Sequence, residues 1–204
     1  MYCLCAAGDY GAVRLLEQNS FHLVDIRLTL EATLRKSTQE RTIAPECLIR
    51  PVRQSDIPAL QDIAQVSHTD SRFFFDRRFP RALCGELYRR WLQRDAADSA
   101  TTVFVADLHG EPVGYLSCRL ESAEEATISL VGVGERARGR GIGKQLIHHA
   151  LDYACSHARQ RIKVVTQGRN IAAQRLYQGA GFRTATLQIW FHRWFETATP
   201  PPYR

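Results

Sequence analysis

The chain has 204 residues, of which 45% are hydrophobic and 24% charged, and its formal net charge is +6. That length suits one or two domains, and the balance excludes a disordered tail or a collagen-like repeat. Cysteines 3, 5, 47, 84, 118 and 155 form no CxxC and no spaced ligand set, so neither a disulfide scaffold nor a metal site is expected.

No apolar run is long enough to span a bilayer. The start, MYCLCAAGDYG, lacks the basic and apolar regions of a signal peptide. A cytoplasmic protein without membrane insertion is expected. The basic balance suits an anionic cofactor or nucleotide as well as nucleic acid. RRFPR at 77–81 and RARGR at 136–140 sit in no nucleic-acid-binding module, so nucleic acid is not the expected partner.

Tyr2–Cys5 reads as a strand and Asp9–Gln18 as a helix. His22–Leu30 reads as a strand in which Leu23, Asp25 and Arg27 alternate against Val24, Ile26 and Leu28. These make a small β-α-β unit over residues 1–34, which cannot bury both faces alone. RKSTQERTIAPE, residues 35–46, is the linker candidate.

A larger domain is expected over 47–196, with a loose proline-rich tail at 197–204. CLIRPV opens it as a strand. Ser55 is placed to cap a helix with Pro58 in its first turn. HTDSRFFFDRRFP, 68–80, reads as a long aromatic and charged loop. A helix follows with Leu83, Leu87, Trp91 and Leu92 on one face. Strands are expected at 101–107, 113–120, 127–133 and 161–167, and helices at 141–157 and from Asn170 to Tyr177. Residues 182–195 alternate as a long strand or a hairpin pair. The order predicts an α/β (α+β) protein, a mixed central sheet with helices on both faces.

RARGRGIGKQL, 136–146, lies between a strand and a well-patterned helix. Gly139, Gly141 and Gly143 allow a tight turn and close backbone approach. The next helix adds unpaired N–H groups and a positive dipole end. Arg138, Arg140 and Lys144 add charge around Ile142, completing a pyrophosphate cradle. It is neither Walker A nor a dinucleotide fingerprint, because Lys144 precedes Gln145 and no GxGxxG spacing fits. Downstream, TQGRNIAAQRLYQGAGF places Asn170 at a helix start and Tyr177 two turns on.

This combination resembles the GCN5-related N-acetyltransferase (GNAT) superfamily over about residues 47–195. The resemblance implies an acyl-CoA N-acyltransferase fold and acetyl-CoA as cosubstrate, bound at its pyrophosphate by the cradle. It implies that Leu130, Val131 and Val133 offer backbone groups to pantetheine and the acetyl carbonyl. Asn170 would contact the pantetheine region, and Tyr177 would protonate the departing thiolate. Such chemistry is direct attack by an amine, needing a fixed oxyanion donor, for which the Val133 N–H is placed, and no metal.

The segments SFHLVDIRLTLE, HTDSRFFFDRRFP and LQIWFHRWFE look like the branch that acetylates the 4-amino group of dTDP-4-amino-4,6-dideoxy-D-galactose. These are the TDP-fucosamine acetyltransferases of enterobacterial common antigen biosynthesis. The resemblance implies that Ser71, Arg72 and Phe73 bind the nucleotide sugar, that Asp25 is a water-mediated base, and that the protein is a homodimer. Members of that branch carry a longer N-terminal region, so the first unit reads as truncated, with exposed edges at residues 2–5 and 22–30. Two alternatives stay open: acetylation of a protein N-terminus or another small amine, and a coenzyme-A-binding module without transfer activity.

Overall fold

A computed structural model describes residues 1–34 and 47–195. The expected linker and tail lie outside the described residues. In chain order the first elements are strand β1 (Tyr2–Ala6), helix α1 (Tyr10–Gln18), β2 (His22–Thr33), β3 (Cys47–Pro51) and α2 (Ile57–Ser67). A single helical turn α3 (Arg72–Phe75), α4 (Arg81–Ala97), β4 (Thr101–Leu108), β5 (Glu111–Leu120) and β6 (Glu125–Val133) follow. The chain then forms α5 (Ile142–Ser156), β7 (Arg161–Gln167), α6 (Ile171–Gly179) and β8 (Arg183–His192).

The eight strands make one mixed sheet in the order β1-β8-β2-β7-β6-β5-β4-β3, and only β6 and β7 run parallel. The first β-α-β unit therefore extends the same sheet as the later strands. Strand β2 sits between β8 and β7, so β1 keeps an open edge at that end and residues 22–30 do not. Residues 183–192 form one strand, because β8 is needed between β1 and β2 and cannot fold back on itself.

Alternation along the strands sends side chains to two cores. Phe104, Leu116, Cys118, Ile128 and Val164 face α5, whose expected stripe Ile142, Leu146, Ile147, Ala150, Leu151 and Ala154 is buried. Val103, Val105, Tyr115 and Leu130 face Leu60 and Ala64 of α2 and Tyr88 and Leu92 of α4. Burying each large apolar side chain contributes roughly 1.5–3 kcal/mol. The helices thus cover both faces.

Three local expectations change. Helix α4 is rotated relative to its predicted stripe: Leu83 and Leu87 are exposed while Cys84, Gly85, Tyr88 and Asp95 are buried. The contact with α2 causes this, since a Cβ on Gly85 would lie 2.7 Å from Gln65 Cγ. Ser55 does not cap α2. The Asp56 carboxylate instead accepts from the Arg53 N–H at 2.7 Å and pairs with buried Arg50 at 2.7 Å. In β2 the register passes from Leu23 opposite Phe191 to Asp25 opposite Trp190, leaving Val24 as an extra bulge residue. Val24 and Asp25 are therefore both buried, and Leu23 and Ile26 are exposed.

Candidate active site

Strands β6 and β7 pair only over Glu125–Ile128 and Arg161–Val164, then part. On its other side β6 is bulged, because Ser117 faces Leu130 while Cys118 faces Ile128, leaving Ser129 unmatched. The Ser129 hydroxyl donates to the buried Asp95 carboxylate at 2.7 Å, fixing the bulge to α4. A cavity of about 600 Å³ opens where the strands separate. Leu130, Val131, Val133, Thr166 and Gln167 line it.

The ladder fixes what these residues present. The Gly134 N–H donates to the Val113 carbonyl at 2.8 Å, which makes Gly114 and Val133 a non-hydrogen-bonded pair. The N–H and carbonyl of Val133 therefore point away from β5, toward the gap left by β7. Val131, two residues earlier and opposite Leu116, has the same orientation. Arg138 Nε donates to the Val133 carbonyl at 3.2 Å, drawing the next loop onto the strand end.

That loop is the cradle. Gly139 and Gly141 both have φ of +77°, a conformation that side chains strain to adopt. Gly141 is the N-cap of α5, so the N–H groups of Ile142, Gly143 and Lys144 have no partner within the helix. Arg138, Gly139, Gly141, Ile142, Gly143 and Lys144 line the cavity. Arg140 is exposed beside them and is not part of the lining. A donor set of backbone N–H groups and cations, on a backbone without Cβ atoms at its turns, fits a diphosphate.

Asn170 opens α6 as its N-cap, its Oδ1 accepting from the Ala173 N–H at 3.0 Å. Two turns on, Tyr177 lines the cavity and packs its ring 5.9 Å from that of Phe182. It is 6% exposed, and burial pushes its phenol above the ordinary tyrosine range. At neutral pH it holds its proton and can only give one.

His68, Tyr88 and Trp91 also line the cavity, and of these the sequence placed only Trp91, on the α4 stripe. His68 Nε2 is 2.8 Å from the Tyr115 hydroxyl, and its ring stacks on Tyr88 at 4.4 Å. Tyr88 stacks in turn on Trp91 at 5.9 Å. Burial pushes His68 down to about 4, so it is neutral. Tyr88 is found only by rotating the α4 stripe. The signal for Tyr115 is the small residue across from it, Gly132.

Asp25, Ser71, Arg72 and Phe73 are not in the cavity wall, but Asp70, just before them, is. Asp25 faces Trp190 across the β2–β8 ladder. The Arg72 guanidinium lies 3.9 Å from the centre of Trp190 and 4.2 Å from that of Phe73, and its buried Nε has no partner among the described residues. Asp25 is 3% exposed, and burial pushes its carboxyl up to about 6 against the opposing pull of Arg169 and Arg72. Ser71 is buried as well. The four form a polar and aromatic cluster next to the cleft.

The parted sheet, the cradle at the start of α5 and the buried Tyr177 of α6 line one cleft whose donor set fits a diphosphate. Residues 60–182 match the Acetyltransferase (GNAT) family, and the chain belongs to it. That membership implies acetyl-CoA as the acyl donor. The chain is 27% identical to the spore coat polysaccharide biosynthesis protein SpsD of Bacillus subtilis over 189 residues, 92% of this chain and 64% of that protein. It is 28% identical to the dTDP-fucosamine acetyltransferase of Escherichia coli (strain CFT073) over 191 residues, 92% of this chain and 79% of that protein. Its fold is shared with a GCN5-related N-acetyltransferase from Sphaerobacter thermophilus, with a TM-score of 0.69, 19% identity, and coverage of 93% of this chain and 58% of that one. The chain thus spans 64% of the length of the first of these sequence relatives. No described helix is long and apolar enough to cross a membrane. Among the described residues no three His, Cys, Asp or Glu cluster to hold a metal.

Proposed function

We propose that the protein transfers an acetyl group from acetyl-CoA to the 4-amino group of a dTDP-linked 4-amino-4,6-dideoxy-D-galactose. The observation that carries this reading is the 28% identity to dTDP-fucosamine acetyltransferase over 92% of the chain, well beyond the span matched by the family. The aromatic clamp on Arg72 supports it, since a stacked guanidinium presents its edge to an anion such as a diphosphate.

Acetyl-CoA, when bound, supplies the acetyl thioester. Arg138, Gly139, Gly141, Ile142, Gly143 and Lys144 hold its diphosphate through backbone N–H groups and charge, with Arg140 at the rim. Leu130 and Val131 run beside the pantetheine arm, and Asn170 reaches the same region. The Val133 N–H meets the carbonyl oxygen as charge develops there. Holding amine and thioester in line supplies much of the rate. Asp25 takes the proton of the acceptor amine through water, and Tyr177 returns one to the leaving sulfur. Ser71, Arg72 and Phe73 hold the nucleotide sugar. The protein works in the cytoplasm as a homodimer, for which the open edge of β1 offers a pairing surface.

The test is to incubate the protein with acetyl-CoA and dTDP-4-amino-4,6-dideoxy-D-galactose, following free thiol and the mass of the sugar nucleotide, with a peptide and simple amines as competitors. Thiol release matched by one acetyl mass on the sugar nucleotide is expected. Turnover of the peptide or amines alone overturns the substrate assignment and keeps the acetyltransferase.

A further inference from the structure

Arg169 stands in the turn between β7 and α6, one residue before the Asn170 cap. Its guanidinium touches three other segments. One terminal nitrogen donates to the Val24 carbonyl at 2.5 Å, and the other donates to the Asp70 carbonyl at 3.1 Å. The latter nitrogen also lies 3.4 Å from Asp25 Oδ1. The face of the guanidinium covers the ring of Phe75 at 4.0 Å.

The backbone forces this placement. The Gly168 N–H donates to the Ile26 carbonyl at 2.6 Å, and a Cβ on Gly168 would lie 2.9 Å from that of Ile26. The turn is therefore docked on β2, and the next side chain must cross the bulge at Val24. A bulge leaves its extra residue out of the ladder, and Arg169 takes up that carbonyl. The same side chain holds Asp70, which lines the cleft, and Phe75 of α3. Only a planar fork can engage two carbonyls in its plane, approach a carboxylate and stack on a ring at once.

We infer that Arg169 is a positioning residue that clasps the 70–75 segment to the β2 bulge and so sets the acceptor side of the cleft against the helix carrying Tyr177. This rests on the reading that Asp25 and residues 70–73 border the acceptor. The groups facing Asp25 are Arg169 from the turn, Arg72 from α3, Asp70 from the preceding loop and Tyr88 from α4. Trp190 faces it from β8 without charge. Arg169 and Arg72 favour the carboxylate, and Asp70 opposes it. Removing the Arg169 charge therefore raises the pH at which Asp25 titrates above about 6.

The experiment compares the full chain with Arg169→Gln and Arg169→Lys. It uses carboxyl-carbon NMR titration of Asp25 (assigned with Asp25→Asn), amide hydrogen exchange, acetyl-CoA affinity, and kinetics with dTDP-4-amino-4,6-dideoxy-D-galactose. In Arg169→Gln we expect a higher Asp25 midpoint, faster exchange at 70–75, a KM for the sugar nucleotide raised about tenfold, and unchanged acetyl-CoA affinity. Arg169→Lys keeps the charge without the fork, so its Asp25 midpoint stays near that of the unaltered protein while exchange at 70–75 rises. Unchanged titration and exchange in Arg169→Gln overturn the inference, as does a parallel loss of acetyl-CoA affinity. If the unaltered protein does not acetylate the sugar nucleotide, the substrate reading falls, and titration and exchange still decide the role of Arg169.

Discussion

Gly132 of β6 and Tyr115 of β5 face each other across the ladder so closely that a Cβ on residue 132 would lie 2.6 Å from Tyr115 Cε1. The missing side chain lets the tyrosine ring fold over the neighbouring strand and reach His68 with its hydroxyl. Gly132→Ala is expected to displace that ring and break the contact. Overpacking of this kind costs about 1–3 kcal/mol. Denaturant unfolding checks the loss, and a variant as stable as the parent refutes the close-packing argument.

The cradle glycines behave differently. A Cβ at Gly139 or Gly141 would meet nothing within 4 Å, so the constraint there is the left-handed backbone alone. Alanine at either position strains the turn by about 1–2 kcal/mol or flattens it, and the N–H groups then miss a diphosphate. Acetyl-CoA affinity should fall about tenfold while the KM of the amine acceptor changes little. Calorimetric titration with acetyl-CoA reads the first, and steady-state kinetics the second. Equal losses for both substrates would remove the cradle from donor binding.

Much of this architecture is legible in the sequence because it is local. The stripe of α5 obeys one helical period, and every residue of it is buried. Gly139 and Gly141 announce their turn, and Asn170 its cap. The cluster of Asp25 and Arg72 and the cleft wall at Tyr88 are less legible because they are made by contacts distant in sequence. Asp25 is turned inward by a bulge at Val24 that no alternation predicts. Tyr88 faces the cleft because α4 meets α2 at Gly85, a helix crossing that the sequence of α4 alone does not encode. Arg72 meets Trp190 only once β8 is laid beside β2.

His68 carries a pH dependence whose sign can be worked out. Its ordinary value of 6.5 falls to about 4 in the folded protein because burial disfavours the cation. The unfolded chain therefore binds a proton that the native state refuses. The stability contributed by neutral His68 is complete above pH 6.5 and is lost as pH falls toward 4. Asp25 acts in the opposite direction, because its carboxyl is raised from 3.8 to about 6 and favours folding when protonated. The two partly cancel in the parent, so the comparison must be made by difference. Unfolding free energies of the parent and His68→Gln should diverge between pH 6.5 and 4, with the parent losing stability faster. Parallel curves would show that His68 is not held neutral.

Tyr177 provides the sharpest separation of chemistry from packing. Tyr177→Phe keeps the ring against Phe182 and removes only the hydroxyl. Tyr177→Ala would also open a cavity in the core, at a cost of about 3–5 kcal/mol for an aromatic side chain, and would confuse the two effects. A phenol is protonated at neutral pH and burial raises it further above its ordinary range, so the hydroxyl is available to donate and not to abstract. A lost general acid lowers kcat by about a hundredfold or more. The phenylalanine variant should show that loss with unchanged acetyl-CoA affinity and near-parent stability. Single-turnover measurement of thiol release isolates the chemical step from product departure. An acyl-donor thioester with a better leaving group needs less help from an acid, so the variant's deficit should shrink with such a donor. A deficit that does not shrink would assign Tyr177 to binding geometry in place of proton transfer.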